Sequence, residues 1–253
     1  MRLYFYISRI KMNVRICRFF LLRNDIIFQS IHLQMRSKLL LLFLGVAFTT
    51  QVFAQKGFPF DNEIRAFKHQ DSLNFPKPNG ILFIGSSSIR LWGDLEQRFP
   101  NEPIIKRGVG GSQLWQLVDY YTPYILFPYH PRKIFIYAGE NDIAAGKPAQ
   151  SVLDEFTKLW GMIREKLPDA EIYFMSIKPS PIRAKYYAEV DKANAMVKAF
   201  LAGKPKGHYI NLVTVIYKPG TTVPDSSLFQ SDYLHLNSKG YDKWQQVLQP
   251  YVK

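Results

Sequence analysis

The chain has 253 residues, 47% hydrophobic and 15% aromatic, enough for one substantial core and short for two typical domains. Its formal charge of +13 is unevenly placed, with +7 on residues 1–54 and +6 on residues 55–253; the second figure fits a solvated surface and gives no nucleic-acid site. The single cysteine, Cys17, lies in the first part, so residues 55–253 hold no disulfide framework, cysteine metal site or cysteine nucleophile.

Residues 1–34 mix Arg with bulky apolar side chains without a period and read as an upstream extension. Met35 then opens a secretory signal layout: basic Arg36 and Lys38, an apolar run Leu39 to Phe48, and the small-residue ending Val52-Phe53-Ala54. The apolar run is too short to span a bilayer, which takes roughly 20 residues. Cleavage near Ala54, a secreted or periplasmic location and no stable membrane insertion afterwards are expected. Residues 55–253 are read as one domain.

That domain opens with a short helical pattern (Ile64, Phe67, His69) and a Pro76-Lys77-Pro78 break. Ile81-Leu82-Phe83-Ile84 is wholly apolar, as in a strand buried on both faces, and leads into Gly85-Ser86-Ser87-Ser88 and a helical stretch. Pro103 to Lys106 reads as a second strand before a glycine turn, and Lys133 to Ala138 as a third before Gly139-Glu140-Asn141-Asp142. A helical stripe follows at Val152, Phe156, Leu159, Ile163 and Leu167, stopped by Pro168. Glu171 to Ser176 is a fourth strand, Tyr186, Val190, Ala193, Val197 and Phe200 form the next stripe, and His208-Tyr209-Ile210 begins a weaker fifth strand. The last helix has Asn237 or Ser238 as cap and Tyr241, Trp244, Leu248 and Tyr251 on one face. This alternation calls for a parallel sheet covered on both faces, with ligands at the carboxyl ends of the strands. The expected fold is a three-layer α/β/α sandwich around a five-stranded parallel sheet, flavodoxin-like.

Four loops carry groups with chemical potential. Gly85-Ser86-Ser87-Ser88 turns a strand into a helix, where a serine faces backbone N–H groups able to hold an oxyanion; the same pattern also makes a plain N-cap or a phosphate cradle. Asp232 precedes His235 by three residues, placing a carboxylate to orient an imidazole base, or simply to cap the following helix. Asn141 offers an amide donor beside Gly139, or an ordinary Asn-Asp turn. Gly108-Val109-Gly110-Gly111 offers an unobstructed N–H, or a flexible turn. Trp92, Trp115, Tyr121 and Tyr233 lie near these loops, positioned to stack on a sugar or to pack in core and rim.

All four signals occur in order, each at the end of a strand or the start of a helix. In this the chain resembles the SGNH hydrolases, the GDSL-type esterases and lipases, over about residues 80 to 250. The resemblance implies Ser87 as nucleophile, His235 as base and Asp232 as its orienting acid. It further implies an oxyanion hole formed by Ser87, Gly111 and the amide of Asn141. The family's usual Asp before the nucleophile is Ser86 here, so three serines stand side by side and Ser87 is the one the alignment of blocks selects. No metal or organic cofactor is implied. The expected partner is a small-molecule or carbohydrate ester, cleaved through an acyl-enzyme. A lysophospholipase or thioesterase acting on lipids, and a glycan- or lipid-binding module without turnover, are the other functions this pattern accommodates. The segment Val213 to Ser231, rich in Pro, Gly, Thr and Ser, reads as a rim and not as a lipid cover, which favours small acyl groups such as acetyl.

Protein expressed from Met35 is expected to be exported and to begin near Gln55 by N-terminal sequencing. An exported form starting well before Met35 would contradict this reading of the first 54 residues.

Overall fold

The computed structural model describes residues 59–253; the upstream extension at 1–34 and the signal at 35–54 lie outside the described residues. Five strands, β1 (Ile81–Gly85), β2 (Ile104–Gly108), β3 (Lys133–Tyr137), β4 (Glu171–Met175) and β5 (Gly207–Ile210), form one parallel sheet in the order β2-β1-β3-β4-β5. That order is the flavodoxin-like one, in which the chain reverses direction across the sheet between β1 and β3.

Alternation along the strands builds the two cores. Leu82, Ile84, Ile134, Ile136, Ile172 and Phe174 face one layer, made by α1 (Asp61–Leu73), a helical run over 114–125, α2 (Ala149–Lys166) and α3 (Tyr187–Leu201). Ile81, Phe83, Phe135, Tyr137, Tyr173 and Met175 face the other, made by α4 (Ser238–Val252) and the short helical turns over 87–98. Phe83, Phe135 and Tyr173 stack in register across three neighbouring strands at 4.5 Å spacing. Burying each such side chain contributes about 1.5–3 kcal/mol, so the central strands are held from both sides.

Local departures from the sequence pattern have visible causes. β2 runs to Gly108, two residues beyond the expected end, because its register against β1 continues from Ile81 opposite Ile104 to Gly85 opposite Gly108. In α1 only Ile64 is buried, Phe67 is partly covered and His69 points to solvent. In α4, Tyr251 is 37% exposed and Val252 takes the buried place, since Tyr241, Trp244, Leu248 and Val252 follow the inward stripe of a 3.6-residue helix. The helical stretch expected after Ser87 is a single turn, Ser87–Arg90, ended as the chain swings Trp92 into the core against Tyr241 and Trp244.

Gly85 is the tightest point of the sheet. Its φ is +137°, and a Cβ there would collide with the carbonyl oxygen of Tyr137. Gly85→Ala should therefore cost about 2–6 kcal/mol from backbone strain and overpacking together, seen as a fall in Tm of about 5–20 °C. Gly93→Ala, with open space around the added methyl, is the control and should leave Tm within a few degrees.

Candidate functional site

The turns after β1, β2 and β3 and the loop before α4 meet at the carboxyl edge of the sheet. Ser86 N–H donates to the Tyr137 carbonyl (3.0 Å), and the Ser86 carbonyl accepts from Ile89 and Arg90 (3.1 and 3.2 Å). Ser86 and Ser88 are 3% and 2% exposed, and the Ser88 carbonyl accepts the Tyr241 hydroxyl (2.9 Å). Of the three adjacent serines, Ser87 is the one held open, and its Oγ lies 2.9 Å from His235 Nε2.

His235 arrives on a closely tied loop. Leu236 is fully buried, Gln230 N–H donates to the His235 carbonyl (2.7 Å), and Asn237 Nδ2 donates to the carbonyls of Ser227 and Phe229 (2.8 Å each). Asn237 also caps α4 by accepting from Gly240 N–H (3.2 Å). Tyr233, with φ +54°, makes the bend. Asp232 Oδ1 accepts the N–H groups of Leu234 and His235 (2.9 and 3.0 Å), and Oδ2 faces His235 Nδ1 at 2.6 Å. Partial burial opposes the charge on Asp232, but these N–H bonds and the imidazole outweigh it and bring its carboxyl down to about 2. An ionised carboxylate can only accept, so Nδ1 carries the proton and Nε2 is left to accept from the Ser87 hydroxyl.

The groups expected to hold an oxyanion follow β2 and β3, the strands on either side of β1. Asn141 belongs to a one-turn helix, Glu140–Ala144, that begins at Gly139 with φ +109°, where a Cβ would press on Ile177 and Val152. Its Nδ2 donates to the Ser112 carbonyl (3.0 Å), which joins it to the loop of Gly111. Gly111 has φ +75° and lies beside the Phe60 ring. The N–H of neighbouring Gly110 is taken by Glu63 Oε2 (2.7 Å) on α1. Asp142 is buried and ties the same helix down, accepting from Leu114 N–H (2.8 Å) and Lys147 (3.3 Å). The structure thus brings Ser87, Asp232 and His235 into one hydrogen-bonded line and links Asn141 with the Gly111 loop.

The aromatic residues divide. Trp92 and Tyr121 are fully buried and belong to the packing, with the Tyr121 hydroxyl donating to the Pro59 carbonyl (2.7 Å). Trp115 is half-buried with Nε1 on Gln113 (2.8 Å), and Tyr233 is 50% exposed. Among the described residues no three His, Cys, Asp or Glu side chains converge as a metal site, and no helix is long and apolar enough to cross a membrane.

Sequence reasoning passed over a buried ionic cluster beside Asn141. Glu140 and Lys178 are 6% and 1% exposed and paired at 2.8 Å, with Tyr137, Ser180 and Arg183 around them. Burial opposes the charge on Glu140, but the Lys178 and Arg183 cations and the bonds from Lys178 and Ser180 outweigh it and hold its carboxyl below the usual range. The available signal was a lysine and an arginine in Lys178 to Arg183, directly after an apolar strand.

A family model described as the GDSL-like Lipase/Acylhydrolase family matches residues 85–243. The chain is 25% identical over 173 residues to platelet-activating factor acetylhydrolase IB subunit alpha1 of Pongo abelii, covering 64% of this chain and 70% of that protein. Its fold is similar to a GDSL-like lipase from Bacteroides thetaiotaomicron, with TM-score 0.64 and 15% identity over 75% of this chain and 96% of the other. It is also similar to a Clostridium thermocellum family 3 carbohydrate esterase, with TM-score 0.53 and 17% identity over 70% and 98%.

The Asp232 carboxyl should titrate near 2 by carbon-13 NMR, below the ordinary value of about 3.9. A carboxyl lowered in the folded state adds stability above its unfolded value and loses it as pH falls through the folded one. The Tm difference between wild type and Asp232→Asn should therefore shrink as pH falls from about 5 toward 2.

Proposed function

From the chain's membership of the GDSL-like Lipase/Acylhydrolase family, whose members hydrolyse esters, we propose that Ser87 is its nucleophile, His235 its base and Asp232 the acid that orients the base. The observation that carries this is the unbroken line Ser87 Oγ to His235 Nε2 (2.9 Å) and His235 Nδ1 to Asp232 Oδ2 (2.6 Å). His235 takes the hydroxyl proton as Ser87 Oγ bonds to the ester carbonyl carbon. The negative oxygen that forms is held by the N–H groups of Ser87 and Gly111 and by the Asn141 amide. When the C–O bond breaks, the alcohol leaves with the proton from His235. Water then repeats the steps on the acyl-serine and releases the carboxylic acid.

The substrate we propose is a small acyl ester, such as acetyl on a carbohydrate or another polar alcohol, met after export of the protein through the Met35 signal. Within the rim segment 213–231 the bulky residues Ile216, Leu228 and Phe229 are turned into the core. The rest of its apolar surface is Val223, 54% exposed, with Val213, Val215 and Tyr217 half-buried, too little to cover a long chain. An acetylhydrolase and a carbohydrate esterase among the similar proteins support the same class.

A fluorophosphonate probe should label wild type and not Ser87→Ala, while Ser86→Ala and Ser88→Ala retain measurable activity. Asn141→Ala should lower kcat by about 10² to 10³ with a smaller change in KM. Hydrolysis of p-nitrophenyl acetate or butyrate should exceed that of the decanoate in kcat/KM; a preference for the decanoate would overturn the assignment of substrate class.

A further inference from the structure

Two parts of the site have to agree in position although they are far apart in the chain: the Asn141 amide after β3 and the His235 loop before α4. A single loop, residues 178–183 after β4, touches both. Ser180 Oγ lies 2.6 Å from Glu140 Oε1 and 3.4 Å from the Leu234 carbonyl. Ile182 N–H donates to the Tyr233 carbonyl (3.3 Å). Arg183 reaches the other way, with Nη2 donating to Asn141 Oδ1 (3.0 Å) and Nη1 3.3 Å from Glu140 Oε1.

The consequence for Asn141 follows from donor and acceptor inventory. Its Oδ1 faces a guanidinium, which can only donate, and its Nδ2 faces the Ser112 carbonyl, which can only accept. Flipping the amide would put NH₂ against the guanidinium and oxygen against the carbonyl, breaking both bonds and creating two repulsive contacts. The amide therefore has one orientation, and its second Nδ2–H is left for the reacting oxygen. Arg183 in turn is fixed by Glu140, which Lys178 holds from the other side at 2.8 Å. Lys178 and Arg183 both face this buried carboxylate, and of the two it is the Arg183 guanidinium that lies directly against the amide oxygen. A cation hydrogen-bonded to the amide oxygen draws electron density from the nitrogen and makes the remaining N–H a stronger donor.

Building on the esterase reading, we infer that Arg183 is a positioning residue for the oxyanion hole, acting through Asn141. It locks and polarises the amide without contacting the substrate. Because the interaction matters most when negative charge develops, its loss falls on kcat.

The test is a double-mutant cycle on the full chain with p-nitrophenyl acetate. Arg183→Met keeps the side-chain length and leaves Glu140 paired with Lys178. It should lower kcat about 10- to 100-fold with KM within about twofold. Arg183→Lys retains the charge and one donor and should recover part of the loss. In the Asn141→Ala background, Arg183→Met should lower kcat by less than about threefold, because the group it acts through is gone. Unchanged kcat in Arg183→Met, a loss confined to KM, or an equal loss in both backgrounds each overturns the inference. If Arg183→Met does not fold, Arg183→Lys in the two backgrounds decides by the same comparison. Ser87 labelling separates the two levels: an active, labelled wild type with an unimpaired Arg183→Met refutes the role of Arg183 alone, whereas an unlabelled and inactive wild type removes the esterase reading and this inference with it.

Discussion

Gly85 ends β1 with φ +137°, and its backbone passes so close to the Tyr137 carbonyl that no side chain fits between them. The same carbonyl accepts the next N–H, from Ser86. Those two facts set the level at which the chain departs from the sheet, and Ser87 follows two residues later. β1 lies between β2 and β3, so the turn after Gly85 is flanked by the turns carrying Gly111 and Asn141. A displacement of this one crossing would move the serine relative to both. Glycine at position 85 is thus required by sterics within the sheet, while the hydroxyl proposed as nucleophile stands two residues on.

The polar layer above the sheet is arranged under a different constraint, the cost of burying charge. Glu140 lies almost fully buried, and an isolated carboxylate there would be driven to protonate. Lys178, Arg183, Ser180 and the Tyr137 hydroxyl each supply a partner. Removing Glu140 would leave the buried Lys178 without its counter-charge, which costs more than the pair contributes. This interdependence joins β3, β4 and the loop after β4 into one unit. Asp232 is exposed and is held instead by backbone donors: two N–H groups occupy Oδ1, which leaves Oδ2 to bind the imidazole.

Short-range patterns in the sequence reveal what short-range forces decide. The wholly apolar Ile81 to Ile84 announces a strand buried on both faces, and the stripe Val152, Phe156, Leu159 and Ile163 announces one inward helix face. The three serines after Gly85 are indistinguishable as letters. They separate only in the fold, where Ser86 and Ser88 are turned into the protein. Trp92 stands five residues beyond Ser87 and reads as a site neighbour, yet the chain reverses there and stacks it on Tyr241 at 4.8 Å. Glu140, Lys178 and Arg183 were illegible for another reason. Charged residues in loops usually face water, and their meaning depends on pairings across 38 and more positions that no local period records.

The lead-in before β1 shows how much a site can owe to residues that carry none of its chemistry. Residues 59–84 precede the stretch that matches the family model, and their helical pattern is weak, with Ile64 as the one fully buried side chain of α1. Yet Glu63 takes the Gly110 N–H at 2.7 Å and stands 3.6 Å from Arg90, while the Phe60 ring lies against Gly111. With its N–H engaged by a carboxylate on α1, Gly110 is tied to that helix. The glycine loop is then stiffened on its outer side by α1 and on its inner side by the Asn141 amide bonded to Ser112. Two adjacent glycines would otherwise be the most mobile backbone at the sheet edge. A flexible oxyanion donor loses much of its effect, since stabilisation of a transient charge depends on dipoles already aimed before the charge appears. The ordering of this loop from both sides is what would let a glycine serve in the proposed oxyanion hole, where conformational freedom would be a defect.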